Sequence, residues 1–171
     1  MTDMDIKLRF LPVHPEDPDS VKKLSGLASS IVKEHYDPIL GPEQNDYMIE
    51  RFQSVPAILG QLGHGYKYYL VVDSSSECGF IAFYIKKDYL YLSKFYLKKG
   101  SRGLGYSHLM LDFLKEKAAS AGACRIELNV NRFNDAVYVY EKLGFRRIRE
   151  EKNDIGHGYY MDDYVYSLDL V

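Results

Sequence analysis

Apolar and polar residues alternate over residues 5–13, "DIKLRFLPV", with Ile6, Leu8 and Phe10 on one side. That period of two predicts a first strand. Pro12, Pro15 and Pro18 then break the pattern. The period changes next: between residues 19 and 36, Val21, Leu24, Leu27, Ala28, Ile31 and Val32 recur at three- and four-residue intervals, which predicts a helix. "DPILGP" (37–42) reads as a loop, and residues 42–52 as a second helix with Pro42 near its start and Glu43 in its first turn. Three apolar, β-branched or aromatic runs come after it, at 66–73, 79–86 and 89–98. The breaks at Asp73–Glu77 and Lys86–Asp88 make them a meander of three strands. A glycine-rich turn leads into a helix over 105–121, with Leu109, Met110, Phe113, Leu114 and Ala118 on one face and Gly122 closing it. "CRIELNVN" (124–131) alternates as a strand, residues 134–143 form a short helix closed by Gly144, and 145–152 and 162–170 are the last two strands.

The order β-α-α-β-β-β-α-β-α-β-β predicts one α/β (α+β) domain over residues 1–171. It implies a mixed sheet of six to seven strands with four helices packed on it. No repeat, low-complexity tract or linker divides the chain.

Composition narrows the functional classes. The chain has 171 residues, is 46% hydrophobic and carries a formal net charge of -2, so it has material for a core and no basic surplus for a nucleic-acid surface. Cys78 and Cys124 have no metal-like spacing and read as reduced thiols, which predicts a cytoplasmic protein and no metal site. "MTDMDIKLRF" carries an early acidic pair instead of the apolar run of a secretory leader, and no segment is long enough to span a membrane.

The chemistry concentrates in "LKKGSRGLGYSHLML", residues 97–111. A strand feeding a glycine turn and then a helix can hold an anion. The first N–H groups of a helix lack internal partners, and the helix dipole puts partial positive charge there. Gly103 and Gly105 would let a phosphate approach the backbone, and Arg102 would add a donor of matching geometry. A plain tight turn with a surface arginine fits the same residues. The P-loop pattern fails, for no lysine and Ser/Thr follow the second glycine; the dinucleotide fingerprint fails because His108 stands where its third glycine belongs. A second stretch, "NDAVYVYEKLGF" (134–145), is a short amphipathic helix running into a strand.

Taken together, Arg102-Gly103-Leu104-Gly105-Tyr106-Ser107 and Asn134, Ala136 and Tyr140-Glu141-Lys142-Leu143-Gly144-Phe145 resemble the signatures of the GNAT acetyltransferase superfamily. The resemblance is strongest over residues 79–146. Ser107 replaces the usual final Gly or Ala of the first motif, and the spacing from Asn134 to Tyr140 is one residue short, which leaves Asn131 as an alternative to Asn134. The resemblance implies acetyl-CoA as donor and a primary amine as acceptor, with direct transfer and no covalent enzyme intermediate. It implies a splay between the fourth and fifth strands, with backbone groups near Phe95 and Leu97 pairing with the pantetheine as an added strand would. Arg102, Gly103, Leu104, Gly105, Tyr106 and Ser107 would hold the pyrophosphate, and Asn134 and Lys142 would complete the cofactor site. Tyr140 would be the general acid that protonates the departing thiolate. As an alternative, Tyr140 only packs or hydrogen-bonds.

The base is not marked by spacing; Glu34, His35 and Glu127 are the candidates. Residues 34–50 hold five acids and no Lys or Arg, and Asp162 and Asp163 fall near the opposite rim with Tyr159 and Tyr160. Such a charge pattern suits a small cationic amine, and it equally suits a solvated helix face. Protein amines, N-terminal or lysine, are the alternative acceptors, and a non-catalytic CoA sensor is the alternative function. No membrane partner is expected, and a homodimer stays open.

Overall fold

The computed structural model describes residues 7–74 and 76–170; Ile6 of the expected first strand lies outside them. Among the described residues, seven strands and five α-helices occur in the order β1 (Arg9–Pro12), α1 (Pro18–Leu40), α2 (Pro42–Gln53), α3 (Val55–Gly63), β2 (Lys67–Val72), β3 (Glu77–Lys86), β4 (Tyr89–Leu97), α4 (Tyr106–Ser120), β5 (Arg125–Asn131), α5 (Ala136–Lys142), β6 (Arg146–Gly156) and β7 (Tyr159–Asp169). The expected four helices become five. Ser54 caps α3 by accepting from the Ala57 N–H, Pro56 sits in its first turn, and Ile58 is fully buried. Gly60 and Gly63 dilute the apolar pattern that would have marked this helix.

The expected loop at 37–42 is also mostly helix. α1 runs through Pro38, which gives up one backbone donor, and Gly41 N–H closes the last turn on Asp37 O.

One mixed sheet has the order β1-β2-β3-β4-β5-β7-β6. Every pairing is antiparallel except β4 with β5, whose connection carries α4. Helices cover both faces. Tyr68, Leu70, Phe80 and Ala82 pack with Val21, Leu24, Ala28 and Ile58 of α1 and α3. Val71, Ile81, Phe83, Leu90 and Leu92 pack with Met110, Leu111 and Leu114 of α4 and Val137 of α5. This division comes from the strand period, since successive side chains leave opposite faces.

Two irregularities of β4 shape everything nearby. The β4–β5 pairing extends only from Tyr89↔Arg125 to Leu92↔Leu128, after which the strands part. At the same point the pairing with β3 steps from Phe83↔Leu92 to Ala82↔Lys94, leaving Ser93 as an extra residue. A bulge shifts the alternation by one. Leu90 and Leu92 therefore face the α4 layer, whereas Lys94 and Tyr96 face the α1–α3 layer and Phe95 and Leu97 return to the α4 side.

β3 approaches the end of β4 closely at Gly79, where an added Cβ would collide with the Tyr96 carbonyl and touch Leu97. Gly79→Ala is expected to cost about 1–3 kcal/mol through overpacking. Thermal denaturation should show a lower Tm.

Candidate functional site

The parting of β4 from β5 opens a groove of about 540 Å³ between β4, α4 and α5. Its floor is apolar: Leu92, Phe95, Leu97, Leu128, Val130 and Leu143. Lys98 N–H donates to Cys78 O on β3, so the backbone of Leu97, one residue earlier, turns toward the splay, and Phe95 shares its orientation by the period of two. These are main-chain groups without a neighbouring strand, and an extended ligand with amides can use them.

At one end stands the glycine turn. Gly103 (φ +76°) and Gly105 (φ +82°) take left-handed conformations, and nothing lies within 4 Å of where a Cβ would be. Gly105 precedes α4 without a side-chain cap, so the first N–H groups of that helix, among them those of Tyr106 and Ser107, lack a capping partner. An open cradle over uncapped N–H groups fits a pyrophosphate. Arg102 folds back, its Nε and Nη2 donating to Leu97 O at 3.3 and 3.1 Å. Lys142 lines the other rim. Tyr106 is largely buried, with its hydroxyl 3.5 Å from Asp73. Of the residues singled out in the sequence for the cofactor, only Leu104 stands outside the lining; its side chain is half exposed, so it contributes backbone to the turn.

Tyr140 lies on the same groove, its ring 6.0 Å from that of Phe95 and 5.7 Å from that of Phe145. Burial, with Tyr36 nearby, pushes its hydroxyl above the usual tyrosine range, so it is protonated at neutral pH. Asn134 is almost fully buried, and its amide is spent on the protein. Oδ1 accepts from the Ala136 N–H at 2.9 Å and lies 2.9 Å from His35 Nε2, while Nδ2 donates to Tyr36 OH at 2.8 Å. Asn134 thus ties α1 to the start of α5. Asn131 faces away from this groove and accepts from the Phe133 N–H.

A second cavity, of about 290 Å³, lies on the opposite face of β4 and shares Tyr36, Ser93, Tyr96 and Asn129 with the groove. Tyrosines dominate its wall, Tyr66, Tyr84, Tyr91 and Tyr160 joining Tyr36 and Tyr96. It holds two buried ionisable groups. Lys94 Nζ donates to Phe52 O at 2.7 Å, to Gln53 Oε1 at 2.9 Å and to Tyr68 OH; burial draws its pKa down to about 7. Asp163 is 3% exposed, and burial pushes its carboxyl up to about 6.

Sequence reasoning missed most of this cavity. A lysine continuing the Leu90–Leu92 alternation was its best signal. The expected acidic wall is corrected: Lys33 bridges Asp37 (3.1 Å) and Asp46 (2.9 Å), and none of the five acids of 34–50 lines the cavity. That stretch contributes Tyr36, Leu40, Gln44 and Met48 instead. Asp162 pairs with Arg132 at 2.8 Å, and Tyr159 packs beside Tyr47. Of the three candidate bases, Glu127 is buried between Arg125 and Arg149, Glu34 is exposed and lines neither cavity, and His35 lines the groove. Among the described residues no group of three or more His, Cys, Asp or Glu side chains is arranged to hold a metal, and no helix is long and apolar enough to cross a membrane.

Residues 40–159 match the family model described as the acetyltransferase (GNAT) domain. No curated protein sequence matches the chain. Among solved structures, PaiA N-acetyltransferase from Thermoplasma acidophilum in complex with coenzyme A is similar at 20% identity, over 97% of this chain and 99% of that one, with TM-score 0.75. The ribosomal-protein-S18-alanine N-acetyltransferase from Escherichia coli is similar at 14% identity, over 96% and 94%, with TM-score 0.65. Aminoglycoside 6'-acetyltransferase type Ii is similar at 17% identity, over 95% and 97%, with TM-score 0.63. At these identities the likeness is one of fold.

The position of Asn134 generates a test. Asn134→Ala orphans the Ala136 N–H and takes from the Tyr36 hydroxyl its amide donor, leaving it only Tyr96, and should cost about 1–3 kcal/mol. Thermal denaturation should show a Tm several degrees lower.

Proposed function

The chain belongs to the GNAT acetyltransferase family, whose members take acetyl from acetyl-CoA, and from that premise we propose that it acetylates the primary amine of a small cationic acceptor. One observation carries the acceptor class. The cavity on the far side of β4 is small, about 290 Å³, walled by tyrosines, and contains the carboxylate Asp163. A tyrosine wall suits an alkyl or aromatic body and a cation, and a buried carboxylate suits an ammonium group. The modest size favours a small molecule over a peptide chain.

Acetyl-CoA enters this reading as substrate. The uncapped start of α4, with Gly103, Gly105 and Ser107, binds its pyrophosphate, and Lys142 adds charge from the rim. Arg102, exposed on its loop, leaves the Leu97 carbonyl and turns to phosphate, which frees that carbonyl for the pantetheine. Phe95 and Leu97 offer their main-chain groups along the splay. The thioester then lies near Ser93, where groove and cavity meet. The amine, arriving from the cavity, attacks the carbonyl carbon; the C–N bond forms and the C–S bond breaks. Tyr140, protonated at neutral pH, gives its proton to the leaving sulfur. The nitrogen loses its remaining surplus proton and Tyr140 is restored. Asn134 lines the groove and acts chiefly by holding α1 against α5. Cys78 and Cys124 are both free thiols, which supports a reducing, cytoplasmic setting.

Tyr140→Phe should lower kcat about a hundredfold to ten-thousandfold, with the acetyl-CoA Kd changed by no more than a small factor. Full activity in this variant, with chemistry limiting the rate, would remove Tyr140 from proton transfer. Gly105→Glu should abolish acetyl-CoA binding in calorimetry, but its positive φ also strains the fold. Ser107→Asp separates the two effects. An acid in the first helical turn stabilises a helix, so this variant should keep its Tm while acetyl-CoA binds roughly tenfold or more weakly, a loss of about 1.4 kcal/mol or more. The acceptor class is read by thiol release from acetyl-CoA over a panel of monoamines, diamines, aminoglycosides, amino acids and short peptides. Small cationic amines should be turned over best, and an anionic amino acid or a peptide in first place would refute the assignment.

A further inference from the structure

We infer that Asp163 is the catalytic base that takes the proton from the acceptor's ammonium group before attack. The inference rests on the proposed amine-acetylating function and supplies the group that function lacks. An alkyl ammonium has a pKa near 10.4, so the acceptor arrives protonated and without a lone pair.

The location carries the assignment. Asp163 sits in the middle of β7, opposite Asn131 of β5 and Glu151 of β6. A carboxylate in mid-sheet, 3% exposed, is costly unless paired. Yet no ion pair among the described residues includes it, and its one hydrogen-bond donor, Asn129 Nδ2, stands at a long 3.5 Å. Asn129 is itself committed elsewhere: Oδ1 accepts from Tyr91 OH at 2.8 Å, and Nδ2 also donates to Glu151 at 3.1 Å. Asp163 therefore keeps acceptor capacity and lines the cavity through which the amine must come. Asn129 belongs to both this cavity and the acetyl-CoA groove, so the carboxylate is one residue away from the meeting point.

The surrounding charges give it a usable affinity for protons. Burial raises its pKa to about 6. Asp162 beside it on β7 and Glu151 across on β6 raise it further, while the hydrogen bond from Asn129 and the charge of Arg132 oppose them. Tyr36 on α1 and Tyr91 and Tyr96 on β4 are held protonated by burial and add no charge near neutrality. Lys94 is in the same cavity, its ammonium turned to Phe52 O, Gln53 and Tyr68. Asp163 is thus ionised at neutral pH and still basic enough to accept a proton.

The proton count closes. R–NH3+ gives one proton to the Asp163 carboxylate and becomes R–NH2. The lone pair forms the C–N bond, the C–S bond breaks, and Tyr140 protonates the thiolate. The second proton lost by nitrogen returns to Tyr140, and Asp163 releases the first to solvent after the amide leaves. The sum is acetyl-CoA and R–NH3+ giving the N-acetyl amine, CoA thiol and one proton.

The test uses the full chain, saturating acetyl-CoA, and n-butylamine and 1,4-diaminobutane as acceptors beside the best amine of the panel. In the wild type, kcat should rise through an acid limb near pH 6. Asp163→Asn should lose about a hundredfold to ten-thousandfold in kcat at pH 7, with the acetyl-CoA Kd unchanged. Its acid limb should vanish, and its kcat/KM should climb toward the titration of the amine itself. Asp163→Glu should regain part of the rate and the limb. Stability runs the other way. The raised carboxyl binds a proton more readily folded than unfolded, so the wild type loses stability as the pH rises from about 4 to about 6. Asp163→Asn, freed of that burden, should match or exceed the wild-type Tm at pH 7. A merely structural residue would give the opposite sign. Asp163→Asn with wild-type kcat and an unaltered pH profile overturns the inference. So does a loss that appears in KM alone and with the diamine alone, which marks an anchor for a second ammonium. If the wild type acetylates no amine of the panel, the proposed function falls first, and the base with it.

Discussion

The extra residue at Ser93 governs the site. Without it, Lys94 would continue the row of Leu90 and Leu92 into the α4 layer, placing an ammonium in the larger apolar cluster. With it, the alternation shifts. Phe95 and Leu97 point to the groove beside α4, and Lys94 and Tyr96 join Tyr91 on the side of the second cavity. The shift falls where β4 leaves β5 after Leu92↔Leu128. One strand edge therefore serves two cavities, and among the described residues Ser93, Tyr96, Tyr36 and Asn129 line both.

The neighbouring elements make sense as supports for this edge. Lys94 draws the chain at Phe52 and Gln53, the end of α2, onto the sheet, and donates as well to Gln61 of α3 and Tyr68 of β2. Asn134 ties His35 and Tyr36 to the start of α5. Tyr47 and Arg51 of α2 donate to the Ile155 carbonyl in β6, near the β6–β7 turn. These are contacts between distant parts of the chain, and the buried groups among them, Lys94, Gln53 and Asn134, lose most when a partner is removed. They fix the walls of two cavities that otherwise border a bare strand edge and a bare helix end.

Local features of this arrangement were legible in the sequence, and long-range ones were not. The glycine turn and the helix after it are a contiguous pattern, as is "YEKLGF", so most residues read for the cofactor do line one groove. The β2–β4 meander was plain from its apolar runs and turn residues. α3 escaped because two glycines in nine residues weaken its period, although Ser54 and Pro56 mark its start. On the acceptor side Asp163 and Tyr160 do line the cavity, and the acidic wall of 34–50 was misread for a different reason. Charge counted along residues 34–50 ignored Lys33, which lies just before the stretch and neutralises two of its acids. The face on which Lys94 and Tyr96 fall depends on a bulge that no residue type announces. Asp163 could be seen as an acid in a strand, but its isolation from cations depends on Arg132 choosing Asp162 and Glu150.

In the proposed function the unpaired edge of β4 receives the pantetheine as an added strand. Amide hydrogen exchange at Phe95 and Leu97, measured by NMR with and without coenzyme A, tests it directly. Pairing with the ligand should slow both amides on binding, together with the first amides of α4 at Tyr106 and Ser107. Slowing at α4 alone, with Phe95 and Leu97 exchanging at their free rates, would contradict the account: the phosphates would be bound while the strand edge stayed bare.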